Sequence, residues 1–347
     1  MISARGLVRA AVVAAMLLTA GAVQAAIIVD TVPIGNAGNA GQLSGAGAGG
    51  YGTDRVCGAV PYDYSIGKYE VTASQYTAFL NAVGGVDAYS LYNTGMADTS
   101  NGSGITRSGG GTLANPYTYS VAPAFANRPV NFVSWGDAAR FTNWLTNNQP
   151  TGLQDLTTTE NGSYYLNGAT TSAALLAVTR KANAKWVITS EDEWYKAAYY
   201  NPKTGTYFAY PTSSNTPPGQ DLTDASGNNA NYYTAPYVLP IDSGIYSTVV
   251  GQFQNSASPY GTFDQGGNVW EWNESVVDGS YRGLRGGSFY NSDFLLAANR
   301  YLADPTYENY DLGFRVSAVD GAAPEPATLV LLALGGLGLL AKRRERK

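Results

Sequence analysis

The 347-residue sequence contains no histidine and a single cysteine, Cys57. Without histidine the chain cannot form a Ser-His-Asp triad, a Cys-His pair, a histidine-ligated zinc site or a histidine-bound iron site. One cysteine also excludes an intrachain disulfide and any metal site built from two thiolates. Charged residues make up only 14% of the chain, against roughly 25% in an ordinary soluble domain. The chemistry left to this protein uses carboxylate, amide, hydroxyl and backbone carbonyl groups.

Both ends of the chain have patterns typical of targeting signals. Residues 1–25 combine two arginines, an apolar run and a small final residue, which predicts a secretory signal peptide removed by signal peptidase. A short membrane anchor is the alternative for this segment. At residues 324–347, Pro-Glu-Pro precedes a 15-residue apolar segment and a basic cluster. A helix of that length reaches only ~22 Å, so it is a marginal permanent anchor in a ~30 Å hydrocarbon core.

The C-terminal pattern resembles the PEP-CTERM sorting signal of Gram-negative bacteria. The resemblance implies that an exosortase, a membrane transpeptidase-like enzyme, recognises and cuts the tail after transient membrane anchoring. The protein would then be exported across the inner membrane and reach the cell surface or the extracellular matrix. The alternative is a plain C-terminal anchor whose basic cluster stays in the cytoplasm.

The charge of the chain between the two signals excludes one class of partner. Residues 26–323 contain 14 Lys and Arg residues against 24 Asp and Glu residues, a net charge of −10. Binding to nucleic acid needs a basic surface, so we expect no nucleic-acid partner. An acidic balance is compatible with an exported protein that binds divalent cations.

The exported part of the chain is predicted to contain one α+β domain. Residues 26–60 include a Gly- and Asn-rich stretch, which predicts a flexible segment leading into a domain at 61–320. Two helices are predicted where a capping residue, Thr72 or Ser134, precedes an apolar stripe. A third is predicted where the acidic residues at 191–193 suit a helix N-terminus. Strands are predicted at 66–71 and 128–133, long loops at 87–127 and 146–180, and short strands without a long helix at 200–320.

Six short motifs follow one another through this domain. They are YEVT at 69–72, PVNFVSW at 129–135, EDEW at 191–194, GNVWEW at 267–272, LRGGSF at 284–289 and LGFRV at 312–316. Together they resemble the formylglycine-generating-enzyme (sulfatase-modifying factor) family over residues 32–319. The resemblance implies a C-type-lectin-like α+β fold with few helices, short strands and much irregular chain. One departure is Thr189, where the family usually has proline.

The resemblance stops at the residues that carry the family's oxidation chemistry. The family's oxidases bind copper through two cysteines, and the matching positions here are Asn291 and Leu295. Cu(I) needs soft sulfur ligands, which an amide and an aliphatic side chain cannot supply. A second branch of the family holds iron with three histidines, which this chain lacks. We therefore expect neither copper nor iron and name no catalytic residue; Trp270 and Ser288, which match groove positions, remain groove candidates.

The resemblance also implies structural Ca²⁺, because the matching positions keep the oxygen donors that this ion prefers. The first predicted set consists of Asp264, Glu271 and the carbonyls of Gly267 and Val269. The second set consists of Asn231, Asp242 and the carbonyls of Tyr232 and Gly244. Two alternatives stay open. Glu271 would pair with an arginine instead, and Asp242 would be a turn residue. Arg285 and Arg315 are the buried cations expected to pair with Glu193 or Glu271.

These observations favour a calcium-stabilised surface or matrix protein whose domain is a non-catalytic binding module. Its groove, bordered by Tyr- and Asn-rich loops, would bind an extracellular polysaccharide or a peptide. One alternative is an enzyme with metal or carboxylate chemistry outside the family's known reactions, using acids such as Glu274 and Asp278. Another is a purely structural component of the polymer matrix with no specific ligand.

Overall fold

The computed structural model describes residues 26–233, 241–242, 244–292 and 294–319. The predicted signal peptide at 1–25 and the sorting signal at 324–347 lie outside these residues. Among the residues described, no helix has the length and apolar character needed to cross a membrane.

The described helices are few and begin where the sequence predicts them. They are α1 (Ala73–Val83), α2 (Trp135–Thr146), α3 (Ser172–Ala177) and α4 (Glu191–Tyr199). Full capping boxes open three of them, pairing Thr72 with Gln75 before α1, Ser134 with Asp137 before α2, and Ser190 with Glu193 before α4. Each box satisfies backbone N–H groups that the first helical turn leaves without partners, which fixes where the helix begins. The three predicted helices are confirmed, and α3 was not predicted.

The strands are short and form two larger sheets and three hairpins. In chain order they are β1 (Thr31–Ile34), β2 (Gln42–Ser44), β3 (Arg55–Cys57), β4 (Tyr64–Gly67), β5 (Ile105–Ser108), β6 (Thr118–Val121), β7 (Trp186–Ile188), β8 (Tyr200–Asn201), β9 (Thr206–Tyr207), β10 (Trp270–Val277), β11 (Tyr281–Arg285), β12 (Tyr301–Ala303), β13 (Leu312–Gly313) and β14 (Val316–Ala318). The first sheet is antiparallel, in the order β1-β4-β14-β7. The second has the order β12-β11-β10-β13, with only the β10–β13 pair parallel.

The first sheet joins the two ends of the domain. Ile66 in β4 is opposite Val32 of β1 on one side and Ser317 of β14 on the other. Helices α1 and α2 pack beside this sheet through aromatic side chains. The Phe141 ring lies 5.4 Å from both the Phe79 and the Phe314 rings, each in an edge-to-face contact. This core packs Phe314, from the second half of the domain, against the two helices.

Three stretches differ from their predicted structure. The segment at 26–60, predicted to be flexible and to lead into the domain, contributes the strands β1, β2 and β3. The predicted loop at 87–127 contains the β5–β6 hairpin, and the loop at 146–180 contains α3. The predicted strand at 128–133 is irregular because Phe132 has a φ of 55°, which a strand cannot accommodate. Strand pairing depends on distant partners, which a local pattern does not indicate.

Buried ion pairs connect the sheets to α4. Arg315 and Glu271 are both fully buried, and two 2.6 Å hydrogen bonds link the guanidinium to the carboxylate. The predicted pairing of Arg315 with Glu271 is therefore confirmed. Arg285 instead binds Glu191 at 2.8 Å, not Glu193 or Glu271. Glu191 at the start of α4 also receives hydrogen bonds from Arg300.

Removing one partner of the Glu271–Arg315 pair should destabilise the whole domain. Glu271→Gln leaves a buried guanidinium without its counter-charge, which typically costs about 3–5 kcal/mol. Urea unfolding of the exported domain measures this loss, and Lys185→Met, at an exposed lysine, should change stability little. The double variant Glu271→Leu/Arg315→Met should be more stable than Glu271→Gln alone. Equal stability of wild type and Glu271→Gln would contradict the structural role of the pair.

Candidate functional site

A glycine bend follows β11 and leads to Ser288, one of the groove candidates. Gly286 and Gly287 have φ values of 97° and 73°, in the region that favours glycine. A Cβ on Gly286 would lie 2.7 Å from the carbonyl oxygen of Gln265, so a side chain cannot be accommodated there. The bend places the next residue, Ser288, against the start of the following loop.

Ser288 is fully buried and bonded within the domain. Its Oγ lies 2.6 Å from Asn291 Oδ1 and 3.2 Å from Asp311 Oδ2, and it accepts a hydrogen bond from the Tyr290 N–H. Burial raises the pKa of Asp311 above the ordinary range of an aspartate. A serine hydroxyl has one proton, so it can donate to only one of the two acceptors at a time.

The positions that match the family's copper ligands do not fit a copper site. Asn291 Oδ1 accepts a hydrogen bond from the Ser288 hydroxyl, and Leu295 is an aliphatic side chain only 2% exposed. The one thiol, Cys57, belongs to a different buried cluster, where its Sγ lies 3.2 Å from an Arg285 Nη. Burial is the largest influence on Cys57 and raises its pKa to about 11, so it stays a neutral thiol near pH 7.

Leu295 lies in the wall of a cavity of about 760 Å³, which we call the aromatic cleft. Its volume is within the usual range of small-molecule sites. Tyrosine, proline and apolar side chains dominate its lining. The lining residues are Gly49, Gly50, Tyr51, Tyr210, Pro217, Pro218, Tyr232, Tyr233, Ser292, Phe294, Leu295, Leu296 and Asn299.

Tyr51 is fixed at the edge of the aromatic cleft. Its ring centroid lies 5.8 Å from those of both Phe294 and Tyr301, yet 54% of the residue remains exposed. Its backbone N–H donates to Asn299 Oδ1 at 2.8 Å, and its carbonyl accepts from the Arg300 N–H at 2.9 Å. Sequence analysis missed Tyr51, because it follows the glycine-rich stretch that suggested a flexible segment.

Trp270, one of the groove candidates, packs against the aromatic side chains that hold Tyr51. It is 3% exposed, stacks on Tyr301 at 5.1 Å and contacts Phe294 at 5.2 Å. Trp270 therefore holds the cleft aromatics in place and has little surface of its own to offer a ligand. Ser288, the other groove candidate, is not among the residues that line the cleft.

In the first predicted calcium set, both carboxylates already have partners. Glu271 binds Arg315 and also accepts a 2.6 Å hydrogen bond from the Trp194 indole. Asp264 Oδ2 accepts from the Gly251 N–H at 2.5 Å. The φ of Gly267 is 82°, and Val269 is fully buried.

Sequence analysis missed a third acid beside this set. Glu70 is 2% exposed, and its Oε2 has no hydrogen-bond partner among the described residues. Burial, and then the charge of Asp264, raises the pKa of Glu70. Its place in the YEVT motif suggested only the end of a strand.

The second predicted calcium set contains an acceptor without a partner. The Asn231 amide donates to the Tyr246 carbonyl at 2.8 Å, while its Oδ1 has no hydrogen-bond partner within the described part of the chain. Asp242 lies 2.5 Å from an Arg128 Nη, and its carbonyl accepts from the Ile245 N–H. The Tyr232 carbonyl accepts from the Gln220 amide, and Gly244 has a φ of 86°. Over the described ranges, no three His, Cys, Asp or Glu side chains converge as a metal site.

The acids considered for carboxylate catalysis do not form a pair. Glu274 binds Arg180 at 2.8 Å and accepts a hydrogen bond from Tyr164. Asp278 instead accepts from the Thr53 hydroxyl at 3.0 Å. Each carboxylate has its own partner, and none of these contacts joins Glu274 to Asp278.

Comparison with known families identifies the domain. The profile described as "Sulfatase-modifying factor enzyme 1-like domain" matches residues 57–319, about three quarters of the chain, and the chain belongs to this family. The PEP-CTERM protein-sorting motif matches residues 322–346. This motif indicates export and surface sorting in Gram-negative bacteria, with processing by an exosortase. A search of curated proteins gave no match.

Solved structures confirm the predicted α+β, C-type-lectin-like fold. The crystal structure of CarF is 20% identical, with a TM-score of 0.50 over 84% of this chain and 99% of that chain. Treponema denticola variable protein 1 is also 20% identical, with a TM-score of 0.50 over 83% and 94%. PvdO from Pseudomonas aeruginosa is 19% identical, with a TM-score of 0.42 over 77% and 83%. At 20% identity the likeness to CarF and to the Treponema denticola protein shows the fold alone.

The raised pKa of Asp311 should make stability depend on pH. Between the ordinary aspartate pKa of about 3.9 and its folded value, the folded state binds more protons than the unfolded state. The free energy of unfolding should therefore fall as pH rises through that window. Asp311→Asn removes this contribution. The free energy of unfolding of wild type minus that of the variant, both measured by urea unfolding, should therefore decrease with rising pH. Parallel pH profiles for the two proteins would contradict the assignment.

Proposed function

We propose that this exosortase-sorted protein uses its sulfatase-modifying-factor-like domain as a non-catalytic binding module. Its ligand would be an extracellular polysaccharide or a peptide held in the aromatic cleft. One observation carries the proposal: Leu295, at a copper position of the family's oxidases, forms part of an aromatic wall.

The residues beside this wall are not arranged for the copper-dependent catalysis of the family. Asn291 and Ser288 bind each other, and Leu295 has no atom that could bind copper. A formylglycine-generating reaction of the family type would lack its metal here. The proposed function therefore keeps the family's scaffold and groove without the family's oxidation.

The cleft instead has the properties of a preorganised binding surface. Aromatic rings offer a large contact area at a low cost in side-chain entropy. Tyr51 is held by two neighbouring rings and two backbone hydrogen bonds, so little freedom remains to be lost on binding. Such an arrangement suits recognition of a ligand that the protein does not change.

Calcium belongs to the proposal as a structural ion at the second predicted set. Asn231 Oδ1 is buried without a hydrogen-bond partner in the described chain, and an unsatisfied buried acceptor is costly. A Ca²⁺ ion would satisfy this oxygen together with Asp242 and the carbonyls of Tyr232 and Gly244. The positive ion would link Asn231 and Tyr232 to Asp242 and Gly244. The first set stays a prediction, since Glu271 would have to bind the ion beside Arg315.

Removing calcium should lower the thermal stability of the exported domain. If the ion is present at about 100 times its Kd, its loss costs about 2.7 kcal/mol, or about 4–5 °C in Tm for a domain of this size. Differential scanning calorimetry with and without a chelator measures the change, and added Ca²⁺ should reverse it. Asp242→Asn should reduce the calcium-dependent shift, while Asp221→Asn, at an exposed aspartate, should leave it intact. A Tm that does not respond to chelator would remove calcium from the account.

The binding role should show as ligand capture that depends on the cleft. Wild-type protein applied to a glycan array and a peptide array should give specific signals that Tyr51→Ala loses. Tyr165→Ala is the matched control, because Tyr165 is 55% exposed and does not line the cleft. Absence of any specific signal, or equal signals from wild type and Tyr51→Ala, would contradict a binding role for the cleft.

A further inference from the structure

The lining of the aromatic cleft restricts the chemistry of its ligand. We infer that the cleft binds an uncharged polysaccharide, with pyranose rings lying against Tyr51 and the neighbouring aromatic side chains. The inference rests on the proposed function and adds the chemical class of the ligand.

No charged side chain occurs among the described residues that line the cleft. Recognition of a uronate, sulfate or phosphate group normally uses arginine or lysine. The arginines nearest to the lining residues in sequence are paired with acids. Arg300 follows the lining residue Asn299 but binds Glu191 at 2.7 Å, and Arg55, four residues after Tyr51, binds Asp192 at 2.5 Å. The described lining therefore offers an anionic sugar no counter-charge.

The charge of the whole domain acts in the same direction. The net charge of −10 over residues 26–323 repels a polyanion as it approaches. An uncharged polymer does not meet this barrier. Long-range and local electrostatics thus both disfavour acidic polysaccharides.

The lining also matches the two kinds of surface that a sugar ring presents. The C–H groups of a pyranose form an apolar face, which an aromatic ring such as Tyr51 can cover. The ring hydroxyls form a polar edge, for which the hydroxyl of the exposed Ser292 provides a hydrogen-bonding group. Apolar walls with a few polar groups are typical of sites for neutral ligands.

A polysaccharide fits this lining better than an extended peptide does. A peptide that adds itself to a sheet needs an exposed strand edge for its backbone hydrogen bonds. None of the described lining residues belongs to one of the strands. A proline-rich peptide, which can use aromatic grooves without a strand edge, is the competing occupant for the experiment to test.

Calorimetric titration of the exported protein with short oligosaccharides of equal length tests the inference. The neutral probes are gluco-, xylo- and manno-oligosaccharides; the anionic probes are oligogalacturonate and oligoalginate. At least one neutral probe should bind, and its affinity should change little between about 50 mM and about 500 mM salt. Tyr51→Ala should weaken it at least about tenfold, Tyr51→Trp should preserve it, and Tyr165→Ala should match wild type.

The outcomes separate this inference from the function on which it rests. Stronger binding of an anionic probe, or binding of a proline-rich peptide alone, would overturn the uncharged-polysaccharide assignment and leave a binding module in place. Binding of no glycan and no peptide would overturn both. Ser292→Lys adds a cation to the cleft and should improve binding of oligogalacturonate; an unchanged affinity would place the sugar away from Ser292 and count against the inference.

Discussion

The buried pair between Glu271 and Arg315 connects the main parts of the domain. Glu271 lies in β10 of the second sheet, and Arg315 precedes β14 of the first sheet. The same guanidinium donates to the Gly67 carbonyl in β4, and the same carboxylate accepts from Trp194 in α4. Two isolated charges could not remain in this core, so the geometry of each partner depends on the other.

The pair also influences what the site can do. It occupies the carboxylate that the family resemblance assigns to one calcium ion, whereas Asn231 Oδ1 in the second set has no hydrogen-bond partner among the described residues. One residue before Glu271, Trp270 supports Tyr301 and Phe294 beneath the aromatic cleft. Strand β10 therefore supports the aromatic cleft, whose wall includes Leu295, one of the two positions that match copper ligands of the family's oxidases. Retention of the scaffold and loss of the metal ligands are compatible with recognition without chemistry.

The sequence predicts the framework better than the surface of the site. Capping residues such as Ser134 act within one helical turn, so their pattern is local and the helices begin where expected. The motif resemblance correctly predicted the fold, and the Arg315–Glu271 pair was among the pairings considered. Tyr51 was missed because its position depends on contacts with residues about 250 positions away, such as Tyr301. Glu70 was missed because a raised pKa requires knowledge of burial and of neighbouring charges.

The central claim is that this family member has exchanged metal-dependent oxidation for binding. Elemental analysis of the exported protein, produced with copper, iron and calcium all supplied, tests this claim most directly. The account predicts calcium near one equivalent per chain and only trace copper and iron. One equivalent of copper or iron, retained through purification, would contradict it.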